Sequence, residues 1–317
     1  MLQYLLKRLV ISACLVYAVA TIVFFVLYLV PGDPAEVLLS SGGVAPPAEA
    51  VEALREKLGL NQPILQQYGS YLWNLARGDL GKSFADDGPV IESIVQSLPR
   101  TLELLVGSTL LSILVGLPLG VLAAIKRGSL IDRAIAVFSG VALSAPVFVI
   151  GTLMVLIFAQ TLRWVPAGGF VPFTANPWRH LTLLLMPCLA ISIGFSAIIM
   201  RMTRSTVLDM LEQDYVRTAR AKGLAEGVVL VRHVVRNSLG PVTTVVGLQM
   251  GAMLGGTVLV EYVFNWPGLS GLLVRAVESR DYPEVQGIVL VISALFILIS
   301  LLVDLTYAAL DPRVKYS

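Results

Sequence analysis

Six stretches of this chain, 9–30, 102–125, 135–162, 181–200, 241–260 and 287–310, are apolar runs of about the twenty residues that a helix needs to cross a hydrocarbon core. With no water in the bilayer core, such a segment must satisfy its backbone N–H and C=O groups internally, which an α-helix does. The chain is 56% hydrophobic and 14% charged, where a water-soluble domain carries about a quarter charged residues. The expectation is an all-α membrane protein with six transmembrane helices. It divides into 1–30 (N-terminus and first span), 31–98 (a long external segment) and 99–317 (a five-helix core carrying a cytoplasmic loop at 201–240).

The external segment carries two further helix signals. Residues 47–58 form one, closed by Gly59. Residues 63–76 form an amphipathic one, with Ile64, Leu65, Tyr68, Leu72 and Leu75 on one face. Ile11-Ser12-Ala13-Cys14 and Ala18-Val19-Ala20 mimic processing sites. Both lie too early in an apolar run that continues past them, so the first helix is expected to be uncleaved. Pro118 and Pro146 predict kinks inside the second and third spans. Trp164 and Trp178 suit an interfacial belt, and His180 reads as an interface residue. Cys14 and Cys188 give neither a disulfide framework nor metal-ligand spacing and read as small apolar residues.

Charge sets the threading. The N-terminus, the loop after the second span, the 201–240 loop and the C-terminus together hold 14 basic and six acidic residues; the remaining loops hold nine basic and fourteen acidic. Short basic loops face the cytoplasm, so both termini are expected there.

The longest strongly basic run is Arg201 to Arg236. From Met210 to Leu224 it lacks proline and is rich in good helix formers, and Gly223 offers a stop. A short helix lying across the membrane face, between two spans, is predicted. Charge alone fits a solvated cytoplasmic loop. The residue order says more: Asp214, Tyr215, Arg217, Thr218, Ala219, Arg220, Ala221, Lys222, Gly223 and Leu224, followed by Arg232-His233 and Arg236-Asn237-Ser238, resemble the coupling loop of ABC-importer permeases, closest to the oligopeptide/dipeptide branch. The general family loop opens Glu-Ala-Ala; here Arg217-Thr218-Ala219 takes that place, as in the oligopeptide variant. The same branch is resembled by Leu-x-Pro31-Gly-Asp-Pro34, by Gly78-Asp-Leu-Gly-Lys-Ser83, by the segment Glu261 to Leu269, by Arg280-Asp-Tyr-Pro283 and by Asp311-Pro-Arg313.

The resemblance implies a type I ABC importer permease fold and a non-catalytic subunit forming half of a pathway for short peptides. It also implies a coupling helix set in a cleft of a separate ATPase. Partners would be a second homologous permease, two ATPase domains, an external solute-binding protein, the peptide substrate and the lipid bilayer, with no nucleic acid. Metal chelates such as nickel complexes, or glutathione-like solutes, are the alternative cargo. No cofactor is expected on this chain; ATP and Mg would bind the partner ATPases. Gly81-Lys82-Ser83 mimics the end of a phosphate-binding loop, but the glycine required five residues earlier is Ala76.

Gly247, Gly251 and Gly255 lie on the fifth span at four-residue spacing, with Gly256 beside them. Small residues at that spacing permit close helix packing, and the same face suits a pathway lining or a second permease. Asp304 lies in the sixth span and is expected to form a structural ion pair. A secondary transporter would show repeats and mid-span ionisable groups, and neither stands out. A membrane enzyme would need a catalytic constellation that two histidines and no His-Glu-x-x-His do not supply.

Overall fold

The computed structural model describes residues 2–29, 32–40 and 46–310, with side chains over 8–29, 32–40 and 46–302. In chain order the helices are α1 (Leu2–Leu29), α2 (Pro34–Leu39), α3 (Ala48–Lys57), α4 (Ile64–Ala76), α5 (Val90–Ile125), α6 (Leu130–Ser144), α7 (Val147–Met154), α8 (Pro177–Leu211), α9 (Asp214–Ala221), α10 (Glu226–Val228), α11 (Arg236–Val263), α12 (Leu269–Glu278) and α13 (Tyr282–Leu310). Among the described residues the only β-type pairing is an isolated bridge between Lys82 and Pro89. Asp304's side chain and the Asp311-Pro-Arg313 tail lie outside the described residues.

Two compact units emerge. One comprises Met1–Thr101 with Pro267–Ile297, the other Leu102–Trp266 with Leu298–Ser317. In the first, α4 docks on α1 through aromatic rings. Phe24 is buried, stacks on Tyr71 with centroids 5.5 Å apart, and meets Tyr68 at 5.2 Å. This is the inward face of α4; Ile64 and Leu65, expected on it, are exposed. A second core joins Val90 and Ile94 of α5 to Leu269 and Ala276 of α12 and to Val285 and Ile288 of α13. Gly59 ends the α3 turn at φ +71°, a left-handed geometry that glycine adopts without steric cost.

In the second unit α5 and α8 meet at glycines. A Cβ on Gly116 would stand 2.9 Å from the Ser196 carbonyl oxygen, and one on Gly120 2.8 Å from that of Met200. Backbones can approach this closely only where side chains are missing. The helices also overrun the predicted boundaries. α5 begins at Val90, so the 98/99 division falls inside it, and it continues through Pro99 and Pro118. α8 contains Pro187 and continues past residue 200 to Leu211, taking up the first third of the basic insert. Pro241 lies inside α11, not at its start.

Five helical stretches are long and apolar enough to span: Arg8–Leu29, Val90–Ile125, Pro177–Leu211, Glu226–Val263 and Tyr282–Leu302. The third predicted span is a pair, Leu130–Ser144 and Val147–Thr161, bent by 100°. Pro146 therefore makes a break, not the modest kink expected. Its ring pushes the preceding residue out of helical geometry, and Ala145 is extended at φ −84°, ψ 123°.

His180 corrects a prediction. It is buried, with Nδ1 2.8 Å from the Val171 carbonyl oxygen and Nε2 3.6 Å from Glu103. Phe170, Phe173 and Trp266 present ring edges around it. Trp164 and Trp178 are exposed, as a membrane-interface belt requires.

Candidate functional site

The basic stretch folds as a short helix on an apolar anchor. α9 starts at Asp214, where a carboxylate favours the positive end of the helix dipole. It stops in a Schellman arrangement: the Gly223 N–H donates to Arg220 O at 2.9 Å and the Leu224 N–H to Ala219 O at 3.4 Å, with Gly223 at φ +77°. The geometry needs a left-handed residue at that point, which is why a glycine stands there.

One of the ten candidate coupling residues, Ala219, separates from the rest and is joined by a neighbour outside the set. Val216, not singled out in sequence, is fully buried, and Ala219 is only 6% exposed. The i, i+3 spacing puts both on one face. They pack into a cluster with Ala124 of α5, Val207 of α8, and Val229 and Val234 at the start of the following helix. Ala219 thus fastens α9 to its own chain. Asp214, Tyr215, Arg217, Thr218, Arg220, Ala221, Lys222, Gly223 and Leu224 are all exposed.

Polar contacts hold the helix in place. The Thr218 hydroxyl donates to Asp214 O at 2.9 Å. Arg220 forks onto Glu226 with Nε to Oε2 at 3.1 Å and Nη2 to Oε1 at 2.6 Å, tying α9 to α10. One helix back, Arg204 of α8 grips Asp132 of α6 by two bonds of 2.7 and 2.9 Å. Glu226 and Asp132 were legible in sequence only as counter-charges. Their partners lie six and 72 residues away, and the second separation has no sequence signal. From Val229 to Val235 the chain is π-helical before α11 begins.

The four candidate glycines of α11 split into two pairs. Gly247 and Gly251 are buried within the chain. Gly255 and Gly256 are exposed, and a Cβ on either would meet nothing within 4 Å. Leu248, Ala252, Leu259 and Tyr262 are exposed as well, at three- and four-residue steps along the helix from Gly255, so one apolar face of α11 is left uncovered by the described residues.

Family models account for nearly all of the sequence. Residues 116–316 match the binding-protein-dependent transport system inner membrane component, and residues 1–105 match the N-terminal membrane component of the same systems. The chain belongs to this family. A probable peptide ABC transporter permease of Sinorhizobium fredii is 40% identical over 313 residues, covering 99% of both chains. The glutathione transport system permease of Escherichia coli is 39% identical over 316 residues, with both chains fully covered. Among solved structures, the MetNI methionine ABC transporter in an inward-facing conformation matches with a TM-score of 0.56 at 15% identity, covering 70% of this chain and 97% of that one. That likeness is one of fold, that of a type I ABC importer permease.

This binding-protein-dependent transport permease is therefore a non-catalytic membrane subunit of an ABC importer. Its family works with a partner ATPase and a substrate-binding protein. Glycine-rich Gly78 to Ser83 serves the fold: the Ser83 hydroxyl is spent on Asp281 at 2.5 Å, and Asp79 Oδ1 accepts the Gly81 N–H at 2.8 Å. Two carboxylates there repel a phosphate.

Proposed function

We propose that this chain forms half of the translocation pathway of an importer for short peptides, with α9 as the handle through which ATPase closure moves the spans. The observation that carries the reading is the two-sided build of α9. Val216 and Ala219 lock one face to α5, α8 and the following helix, while Tyr215, Arg217, Thr218, Ala221 and Lys222 are exposed. A lever needs both a rigid attachment and a free gripping surface.

The cargo class rests on the relatives: one is a peptide permease and another carries glutathione, itself a small peptide. A glutathione-like solute is thus the second reading, ahead of metal chelates. The uncovered face of α11 around Gly255 fits a second, homologous permease. The basic residues Lys126, Arg127 and Arg201 to Arg236 put the α9 end in the cytoplasm by the positive-inside rule, with both termini on that side. ATP and Mg belong to the ATPase subunits.

The test is ATP-driven uptake of a labelled dipeptide into proteoliposomes holding the full importer. Ala221→Arg on the exposed face should abolish both uptake and co-purification of the ATPase while leaving the thermal midpoint of the isolated chain unchanged. Normal uptake by that variant would overturn the assignment of α9.

A further inference from the structure

Between α6 and α8 lies a cleft of about 390 Å³ that plays no part in the function above. Its walls combine apolar Ile135, Ala136 and Met200 with three guanidinium groups, those of Arg133, Arg201 and Arg204. One carboxylate, Asp132, faces them, and it is fully occupied. Its Oδ1 accepts from Arg204 Nε at 2.7 Å, and its Oδ2 accepts from Arg204 Nη2 and from the Gly128 N–H, both at 2.9 Å. Arg133 and Arg201 are exposed and have no acidic partner among the described residues. The cleft thus keeps a surplus of two positive charges.

The wall beside those charges is apolar and exposed. Val137 and Val141 follow Arg133 at four-residue steps on α6, so they share its face, and they are 67% and 64% exposed. Cations at the end of an apolar stripe, on a helix at the membrane edge, match the two parts of one molecule: a charged head and an acyl chain. Basic pockets between membrane helices on the cytoplasmic side bind anionic headgroups.

We propose that this cleft seats an anionic phospholipid, its phosphate between Arg133 and Arg201 and an acyl chain along Val137 and Val141. Arg204 is a positioning residue, fixed by Asp132 so that the α6–α8 spacing matches a headgroup. The surplus charge selects phosphatidylglycerol or cardiolipin over zwitterionic lipids. The proposal shares with the functional reading only the placing of this end of α6 and α8 at the cytoplasmic side of the bilayer.

The test uses the importer purified in mild detergent, with co-purified phospholipid quantified by headgroup. Wild type should be enriched in anionic lipid relative to the source membrane. Arg133→Gln with Arg201→Gln should weaken retention about thirtyfold, since each basic side chain contributes roughly a fivefold factor. Arg232→Gln with Arg236→Gln, on the same basic loop but outside the cleft, should retain the lipid. After delipidation, added phosphatidylglycerol should raise the unfolding temperature of wild type but not of the cleft variant, and inorganic phosphate should raise neither. Equal retention by the cleft variant, no enrichment in wild type, or equal protection by inorganic phosphate would each overturn the proposal. So would loss of ATPase association by the cleft variant with its lipid intact, which would make the cleft a subunit interface. Loss of lipid with uptake and ATPase association preserved supports the proposal and leaves the role of α9 untouched.

Discussion

Ser83 donates a 2.5 Å hydrogen bond to the carboxylate of Asp281, a residue 198 positions further along the chain. The bond joins two motifs that resemblance singled out separately, Gly78 to Ser83 and Arg280 to Pro283. Asp281 is fully buried and does three jobs: it accepts from Ser83, from the Ala85 N–H at 3.2 Å, and from the Glu284 N–H at 3.2 Å as the cap of α13. Arg280 beside it closes over Gly32, in a third such motif ending at Pro34, where an added Cβ would lie 2.7 Å from the guanidinium. Three pieces of sequence far apart in the chain are thus one assembly.

Asp281→Ala should therefore be costly. Losing a helix cap costs about 1 kcal/mol, and a buried donor left without a partner costs about 1–3 kcal/mol. A loss of about 3 kcal/mol in the stability of this unit is expected. Ser83→Ala should cost less, because the two backbone donors keep their acceptor. Thermal unfolding of the purified protein, followed by tryptophan fluorescence, gives the order; a Ser83→Ala variant less stable than Asp281→Ala would refute it.

Gly120 and Gly256 should respond in opposite ways to the same change. Gly120→Val drives a side chain into the Met200 carbonyl and Thr203 of α8, and overpacking of this kind costs about 1–3 kcal/mol or more. Gly256→Val points into space that the described residues leave open. The first variant should fail to accumulate in membranes. The second should accumulate normally yet lose its partner permease on co-purification. Normal recovery of the partner by Gly256→Val would remove α11 from the subunit interface.

How much of this was legible follows from where each signal resides. α9 could be read because its cause is local: a proline-free stretch with Asp214 at one end and Gly223 at the other. That Ala219 turns inward has no local signal, because its burial depends on Val207 and Val229, which sit on other helices. The glycine spacing on α11 was visible, but spacing alone does not say that Gly247 and Gly251 face inward while Gly255 and Gly256 do not. Gly116 and Gly120, where α5 and α8 come together, lie in an apolar run where nothing local marks them. The break at Pro146 is hidden too, since both flanks are apolar and read as one continuous span.

Val216 should separate anchoring from gripping. Val216→Ala removes two methyl groups from the cluster beneath α9, about 1.6 kcal/mol of transfer free energy before any cavity is counted. Hydrogen exchange over 214–224 should rise, and ATP-driven uptake should fall, while ATPase co-purification stays near normal because the exposed face is untouched. Unchanged exchange would mean that α9 does not depend on this anchor. The Arg220–Glu226 pair, well exposed on both sides, contributes at most about 1 kcal/mol, so Glu226→Gln should alter exchange far less than Val216→Ala.

The bent pair α6–α7 decides how many times the chain crosses the bilayer, and single cysteines can count the crossings. Cys188 is buried and Cys14 exposed, so a background of Cys14→Ser with Cys188→Ala removes both native thiols at small structural cost. Into it go Lys126→Cys, ahead of α6, and Ala167→Cys, in the exposed turn-rich segment after α7. If the pair is one broken span, a membrane-impermeant maleimide added to whole spheroplasts labels position 167 and not 126, and inverted vesicles reverse the pattern. If the pair is re-entrant, both positions label from the same side. The charge distribution demands the first result. With a re-entrant pair, α8 would begin on the side where Lys126 and Arg127 lie, and the basic run ending in α9 would face the opposite one, against the positive-inside rule. A same-side pattern would therefore overturn the six-span count and, with it, the placing of α9 where a cytoplasmic ATPase can reach it.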